Sequence, residues 1–85
     1  MEQEEGEEGM VEAFVLIQVE MAQGRRVTEE VGGVSGVQLS QFVTGPYDVV
    51  ARVQAPDVDA LGKVVDEIQR VPGVTRTLTC TVIRL

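Results

Sequence analysis

Residues 43–48, Val-Thr-Gly-Pro-Tyr-Asp, include several groups that are suited to binding a small ligand. Thr44 carries a hydroxyl, Gly45 lets a ligand approach the backbone N–H groups closely, and Asp48 carries a carboxylate. Donors beside one acidic acceptor can bind a small polar molecule. A structural alternative stays open, because glycine and proline are ordinary turn residues and aspartate often accepts a backbone hydrogen bond in a turn. Tyr47 has a structural alternative too, in packing a subunit interface.

Residue types that catalysis and metal binding usually require are scarce in this sequence. Histidine is absent and there is one cysteine, Cys80. The commonest zinc ligand and the usual general base are therefore missing, and an internal disulfide is excluded. Cys80 alternates with Leu78 and Val82, which predicts a buried, unreactive thiol. We expect no metal, no cofactor and no enzymatic activity.

The negative charge is concentrated at the N-terminus. Five glutamates within residues 2–8 account for five of the seven net negative charges, leaving −2 for the rest. Residues 1–10 are predicted to be a disordered acidic leader, or alternatively an interaction tail, ahead of a folded domain at 11–85. A body without a basic stripe argues against direct nucleic-acid binding. No apolar run approaches the roughly 20 residues of a membrane span, and a signal peptide would begin with basic residues, so we expect no membrane association and a cytoplasmic location.

The apolar pattern predicts two helices and four strands. Segments rich in β-branched residues indicate strands at 12–20, 37–44, 47–54 and 76–85, with the second and third joined as an antiparallel hairpin. Apolar residues at helical spacing indicate a helix at 25–33 and another that begins after Asp57, its predicted N-cap. The predicted buried stripes are Val27, Val31 and Val34 on the first helix, and Val58, Leu61, Val64, Val65 and Ile68 on the second.

The two halves of the chain resemble each other. Residues 31–37 (VGGVSGV) align with residues 68–74 (IQRVPGV) at a spacing of 37 residues, and each half reads strand, helix, turn, strand. Two such units predict an α+β, ferredoxin-like βαββαβ fold, with a four-stranded antiparallel sheet and both helices on one face. Right-handed crossovers give the strand order 4-1-3-2.

This topology leaves one face of the sheet without helices. Alternation along the strands assigns to that face Phe14, Leu16, Val50, Arg52, Thr77, Thr79 and Thr81. A chain of 85 residues buries a modest core. An exposed face with an apolar centre on so small a domain predicts a homodimer packed face to face.

The hairpin string VTGPYD, with AFVLIQV (13–19) before it and VPGVTRT (71–77) after it, resembles the effector-binding (RAM) domain of the Lrp/AsnC family of feast/famine regulators over residues 11–85. The family's regulators also carry an N-terminal helix-turn-helix, which the ten residues before the first strand do not match. The resemblance therefore implies a stand-alone effector domain. It further implies dimerisation through the sheets, assembly of dimers into rings, commonly octamers, and a small amino acid bound where dimers meet.

The same resemblance implies a set of ligand-binding residues. A backbone N–H near Gly45 would meet the ligand carboxylate and Asp48 its ammonium group, with hydroxyls from threonines. Pro46 departs from a family position that is often polar or charged, and it removes one N–H donor. The implied ligand-binding residues are Thr44, Gly45, Tyr47 and Asp48 in the hairpin and Gly73, Val74, Arg76, Thr77 and Thr79 in the facing segment.

Several functions remain open at this point. The leading interpretation is a non-enzymatic amino-acid-binding module that modulates transcription or amino-acid metabolism through partner proteins. A second is a structural subunit that assembles with full-length Lrp/AsnC regulators. A third, a small dimeric ferredoxin-like enzyme, is weakened by the missing histidine and the lack of paired carboxylates. An ACT-type regulatory domain shares the topology, but the VTGxYD string matches the Lrp/AsnC pattern better.

Overall fold

A computed structural model describes residues 9–85 and shows six elements. They are β1 (Val11–Val19), α1 (Gly24–Gly32), β2 (Val37–Phe42), β3 (Val49–Ala55), α2 (Val58–Gln69) and β4 (Val74–Thr81). The sheet order is β2-β3-β1-β4 and every pairing is antiparallel, so the predicted βαββαβ fold and strand order are confirmed. The predicted leader falls almost wholly on residues 1–8, outside the described residues. Neither helix in the described part of the chain is long and apolar enough to cross a bilayer.

The core lies between the sheet and the two helices. Alternate residues of β1 and β3 point into it, because successive side chains of a strand face opposite sides. Two valines of α1, four residues apart, and two apolar residues of α2 close it from the other side. The fully or almost fully buried members are Ala13, Val15, Ile17, Val27, Val31, Val49, Ala51, Val53, Ala55, Leu61 and Ile68.

The second helix begins as predicted but buries its first turn less than expected. Asp57 is the N-cap, since its side chain accepts a hydrogen bond of 2.8 Å from the backbone N–H of Ala60. Val58, predicted for the buried stripe, is exposed. It occupies the first helical position beside the exposed cap, and the buried stripe starts at Leu61.

The internal repeat is visible in the backbone. Gly36 and Gly73 stand 37 residues apart, each one residue before a strand, with φ of +98° and +99°. The following residues, Val37 and Val74, donate equivalent turn hydrogen bonds of 3.0 and 3.1 Å to carbonyls three residues earlier. Positive φ of this size favours glycine, so both halves use the same turn to leave a helix and enter a strand.

The sheet face opposite the helices, called here the open face, carries the predicted residues of β1 and β3. Phe14 pairs with Arg52, and Leu16 pairs with Val50. Phe14 is 40% exposed, and Leu39 of β2 is 47% exposed on the same face. The prediction for these two strands is confirmed.

The predicted orientation of the β4 side chains is wrong, because its two alternating sets of residues face the opposite sides of the sheet from those predicted. Thr77, Thr79 and Thr81 pair with the buried β1 residues and therefore lie on the helix side. Leu78 and Cys80 lie on the open face instead. Because β4 is an edge strand that the helices cover only in part, threonines suffice on its helix side, and the larger apolar residues point the other way.

Cys80 is consequently exposed, and the predicted buried thiol is not found. It pairs with Phe14, while Leu78, 45% exposed, pairs with Leu16. The open face thus has an apolar centre that runs across β1 and β4.

Candidate functional site

The hairpin between β2 and β3 is fastened to the end of β1. The backbone N–H of Asp48 donates to the carbonyl of Ile17 at 2.8 Å, and the Asp48 carbonyl accepts from the N–H of Val43 at 2.8 Å. The side-chain amide of Gln18 donates to the carbonyl of Pro46 at 3.0 Å. These bonds fix the loop at residues 43–48 relative to the central strands of the sheet.

The carboxylate of Asp48 has a structural role. Its Oδ2 accepts a hydrogen bond of 2.9 Å from the backbone N–H of Val19, at the point where the β1–β4 register shifts. The structural alternative considered for Asp48 therefore occurs, although the donor lies on a neighbouring strand and not in the turn. Among the described residues, no donor reaches the second carboxylate oxygen, Oδ1, which leaves it able to accept another group.

The tip of the hairpin points away from the rest of the chain. Thr44, Gly45 and Pro46 are exposed, and Tyr47 is half-buried. Gly45 has φ of +141°, which favours glycine, and no atom lies near the position that a Cβ would take. Apart from the Pro46 carbonyl, which accepts from Gln18, the residues of the tip are therefore open to solvent.

The predicted facing segment reaches the same end of the sheet. The carbonyl of Gly73 accepts a 2.8 Å hydrogen bond from the N–H of Glu20, while Val74 and Arg76 pair with the last residues of β1. The end of β1 therefore lies between Asp48 on one side and residues 73–76 on the other.

A structural cause accounts for Gly73. Arg26 Nη2 donates to the carbonyl of Pro72 at 2.7 Å, and a Cβ on Gly73 would lie 2.7 Å from that nitrogen. Arg26 also binds Gln23 and Glu30, at 2.9 and 2.8 Å. Arg26 thereby ties the start of α1 to the turn before β4.

Two of the predicted residues do not join this end of the sheet. Thr77 lies on the helix side, where its hydroxyl accepts a 2.8 Å hydrogen bond from Gln69 Nε2. Thr79 pairs with Val15 in the middle of the sheet. Both side chains are separated by the sheet from the open face.

A cavity of about 320 Å³ lies beside Asp48, and this volume is in the range of small-molecule sites. It is formed by the end of β1 with the following turn, the start of α1, and the two ends of the hairpin. Its lining residues are Val19, Glu20, Met21, Ala22, Gly24, Arg25, Phe42 and Asp48. Of the residues predicted for ligand binding, only Asp48 lines this cavity.

Phe42 and Gly24 shape one wall of the cavity. A Cβ on Gly24, which is buried, would overlap the Phe42 ring. The absence of a side chain on Gly24 therefore lets the ring lie against the start of α1. Phe42 is 59% exposed, and Met21, which lies in the turn after β1, is almost fully exposed.

Charged groups of both signs line the cavity. Glu20 and Asp48 are the acidic residues of its lining, and Arg25 is the basic one. Between residues 9 and 85, no group of three or more acidic, histidine or cysteine side chains is placed to hold a metal ion. The arrangement suits an organic ligand that carries both charges.

Comparison with known proteins agrees with this architecture. The family model described as the Lrp/AsnC ligand binding domain matches residues 12–85. The crystal structure of TTHA0845 from Thermus thermophilus is 37% identical, with a TM-score of 0.82, over 88% of this chain and 95% of that one. The transcriptional regulator NMB0573 from Neisseria meningitidis, solved as its L-Met complex, shares the fold: 21% identity and a TM-score of 0.79 over 99% of this chain and 56% of that one.

A homocitrate synthase from Sulfurisphaera tokodaii is also similar. It is 29% identical over 75 residues, which are 87% of this chain and 16% of that enzyme. This chain therefore spans about one sixth of that relative's length. With the family model covering nearly all described residues and the fold in agreement, the chain belongs to the Lrp/AsnC ligand-binding-domain family.

Proposed function

We propose that this protein is a non-enzymatic regulatory module that binds a small amino acid at the Asp48 end of its sheet and communicates its bound state to a partner protein in the cytoplasm. The observation that carries the proposal is the cavity of about 320 Å³ with Asp48 in its wall, beside a hairpin fixed to β1. The family assignment supports it, and so does the L-Met complex of the structurally similar Neisseria regulator.

The chemistry of the site fits an amino acid. Such a ligand presents an ammonium group and a carboxylate a short distance apart, so its site needs an acidic acceptor near donors. Asp48 offers Oδ1 as the acceptor. The exposed tip, with Thr44, Gly45 and Tyr47, does not line the cavity of its own chain, so we assign it to contacts with a neighbouring subunit.

The facing segment is assigned a supporting role in this proposal. Gly73 and Val74 hold the end of β1, which in turn holds Asp48. Arg76 is exposed at the same end of the sheet and is available to a ligand carboxylate or to another subunit. Thr77 and Thr79 are left out of the proposed site because neither lines the cavity, and the Thr77 hydroxyl already binds Gln69.

Amino-acid binding is tested by thermal unfolding with each of the twenty amino acids. We expect one or a few to stabilise the protein, by about 2.7 kcal/mol at a hundredfold excess over Kd. Asp48→Asn keeps an acceptor for the Val19 N–H but removes the charge, so it should fold and lose most of this stabilisation. Glu67→Gln, at an exposed position on α2, is the matched control. Failure of every amino acid to bind, in a protein that still assembles, would favour the structural-subunit alternative.

We further propose that the open face binds a second copy of the chain, and that dimers assemble into rings, an octamer being the expected size. The apolar centre of Phe14, Leu16 and Leu78 has no helix over it. At its border Glu12 pairs with Arg52 and, at 3.3 Å, with Arg84. A self-complementary apolar face with paired charges at its rim is typical of twofold interfaces.

Assembly is tested by light scattering after size-exclusion chromatography. Leu78→Glu places a charge in the apolar centre and should give monomers at micromolar concentration with an unchanged circular dichroism spectrum. Val58→Glu places the same charge on an exposed position of α2 and should leave the mass unchanged. An unchanged mass for Leu78→Glu would refute the proposed interface.

One candidate for the partner protein is a homocitrate synthase. The homocitrate synthase similarity favours it, because a segment like this chain occurs there within a much longer enzyme. The other candidate partner is a full-length Lrp/AsnC regulator. Mixing this protein with a purified homocitrate synthase or Lrp/AsnC regulator from the same organism, followed by gel filtration, distinguishes them by which one co-elutes.

A further inference from the structure

Resting on the amino-acid-binding function proposed above, we propose that the effector is an amino acid with an uncharged, apolar side chain and that it sits in the cavity beside Asp48. Arg25 binds the ligand carboxylate, Asp48 accepts from the ammonium group, and Phe42 and Met21 contact the side chain. The hairpin string that identifies the family includes only one of these four residues, Asp48.

Arg25 is the cation available to a carboxylate in this cavity. Its neighbour Arg26 is fully engaged, with hydrogen bonds to Gln23, Glu30 and the carbonyl of Pro72. Arg25 is exposed and forms no ion pair with any residue between 9 and 85. A guanidinium presents two parallel N–H donors that match the two oxygens of a carboxylate.

The position of Arg25 adds to this preference. It lies in the first turn of α1, which contains no acidic residue and receives no side-chain cap from Gln23. The positive end of the helix dipole therefore favours an anion beside the guanidinium.

The ammonium group of the ligand is assigned to Asp48, which lines the same cavity. Asp48 is held in place through Oδ2 by the Val19 N–H, which leaves Oδ1 for an ammonium group. Glu20 is a second carboxylate in the lining. One basic and two acidic residues in the lining of a single cavity match the two charges of a zwitterion.

The remaining surface of the cavity is apolar and exposed. Phe42 packs against the buried Gly24 and is still more than half exposed, and Met21, in the turn after β1, is almost fully exposed and also lines the cavity. An apolar ligand side chain would remove water from both, and the flexible thioether of methionine adapts to branched or linear shapes. A charged side chain would gain nothing from this wall and would lose part of its hydration.

The test is titration calorimetry of the whole protein with leucine, methionine, alanine, lysine, glutamate and 3-methylbutylamine, which is leucine without its carboxylate. We expect leucine or methionine to bind tightest and the amine to fail. Arg25→Gln should weaken binding by about tenfold or more, the loss expected for a charge-assisted contact. Phe42→Ala should reduce the preference for leucine over alanine.

Matched controls separate these effects from general ones. Arg70→Gln removes the same charge from the exposed C-cap position of α2, and Val58→Ala trims an exposed apolar side chain at the start of that helix. Both should bind as the unmodified protein does. In case a variant does not fold, amide chemical-shift changes in the unmodified protein provide a second measurement, expected at residues 20–25 and at Phe42 and absent from the exposed face of α2.

The outcomes distinguish the two proposals. Binding of amino acids with no effect of Arg25→Gln or Phe42→Ala would overturn this site and leave the proposed function standing. Preference for lysine or glutamate would overturn the assigned ligand class. Failure of every amino acid to bind would overturn both.

Discussion

Replacing Gly24 by alanine tests the contact that holds Phe42 at the cavity wall. Gly24 is buried at the first position of α1, and a Cβ there would overlap Cε1 and Cζ of the Phe42 ring. Because the ring is more than half exposed, we expect it to swing outward, with little movement of the backbone. The substitution should therefore alter the cavity and the stability together.

The magnitude follows from two opposing effects. Alanine in place of glycine stabilises a helix by up to about 1 kcal/mol. Relieving the overlap costs roughly 1–3 kcal/mol, as overpacking does elsewhere. In the unmodified background the free energy of unfolding should fall by about 0–2 kcal/mol. In a Phe42→Ala background the overlap is absent, so Gly24→Ala should be neutral or stabilising.

The assay is a double-mutant cycle on four proteins, unfolded by heat and by urea at one protein concentration. We expect a coupling energy of about 1–3 kcal/mol, where each kcal/mol corresponds to roughly 4–8 °C in Tm for a domain of this size. Gly62→Ala is the control, because no atom lies near its Cβ position and it should stabilise both backgrounds equally. A coupling energy below about 0.5 kcal/mol would refute the proposed contact.

Three further predictions follow from single contacts. Gly73→Ala should destabilise the protein by about 1–3 kcal/mol in urea unfolding, because φ is +99° there and the new Cβ would press on Arg26; a stabilised variant would contradict this account of the turn. Asp48→Ala should cost about 1–2 kcal/mol by removing the acceptor of the Val19 N–H, and Asp48→Asn should cost less than half as much in the same assay. Equal losses would show that the hydrogen bond is not the cause. Asp57→Ala should lower the free energy of unfolding by roughly 1 kcal/mol through loss of the cap on Ala60, and hydrogen exchange should become faster in the first turn of α2 only.

The fold was predictable from sequence because most of its elements show a clear helical or strand periodicity of apolar residues. β1 has apolar residues on both faces, which predicts cover on both, and the helices show valine or leucine at helical spacing. The repeat around Gly36 and Gly73 fixed the order of elements, and Asp57 marked the start of α2. The periodicity, the repeat and the cap can each be recognised in the sequence without knowledge of how the elements pack.

The faces of β4 were not predictable in the same way. Threonines alternate there with a set that includes Leu78 and Cys80, and both sets occur readily in strands, so the pattern does not show which of them faces the helices. The shift of register between Gln18 and Val19 helps to decide which set faces the helices. Nothing in the residues themselves signals that shift, and a displacement by one residue exchanges the two faces.

The candidate site was predicted only in part, for a related reason. Asp48 lies in a distinctive string that singles it out from the sequence, and it is the predicted residue that lines the cavity. Arg25, Met21 and Phe42 lie on α1, in the turn before it and on β2; they line one cavity, and the missing side chain of Gly24 lets the Phe42 ring pack against α1. A cavity lined by residues of different elements depends on how those elements pack, and this leaves no local pattern in the sequence.

Among the six elements, β1 contributes to the largest number of the structural features described above. It is an interior strand of the sheet, with one face in the core and the other on the open face, and its last residues hold the hairpin and border the cavity. We therefore expect β1 to tolerate few substitutions. Among sequences descended from a common ancestor with this one, substitutions should accumulate first on the outward surfaces of the two helices, and β1 should be the slowest segment to diverge.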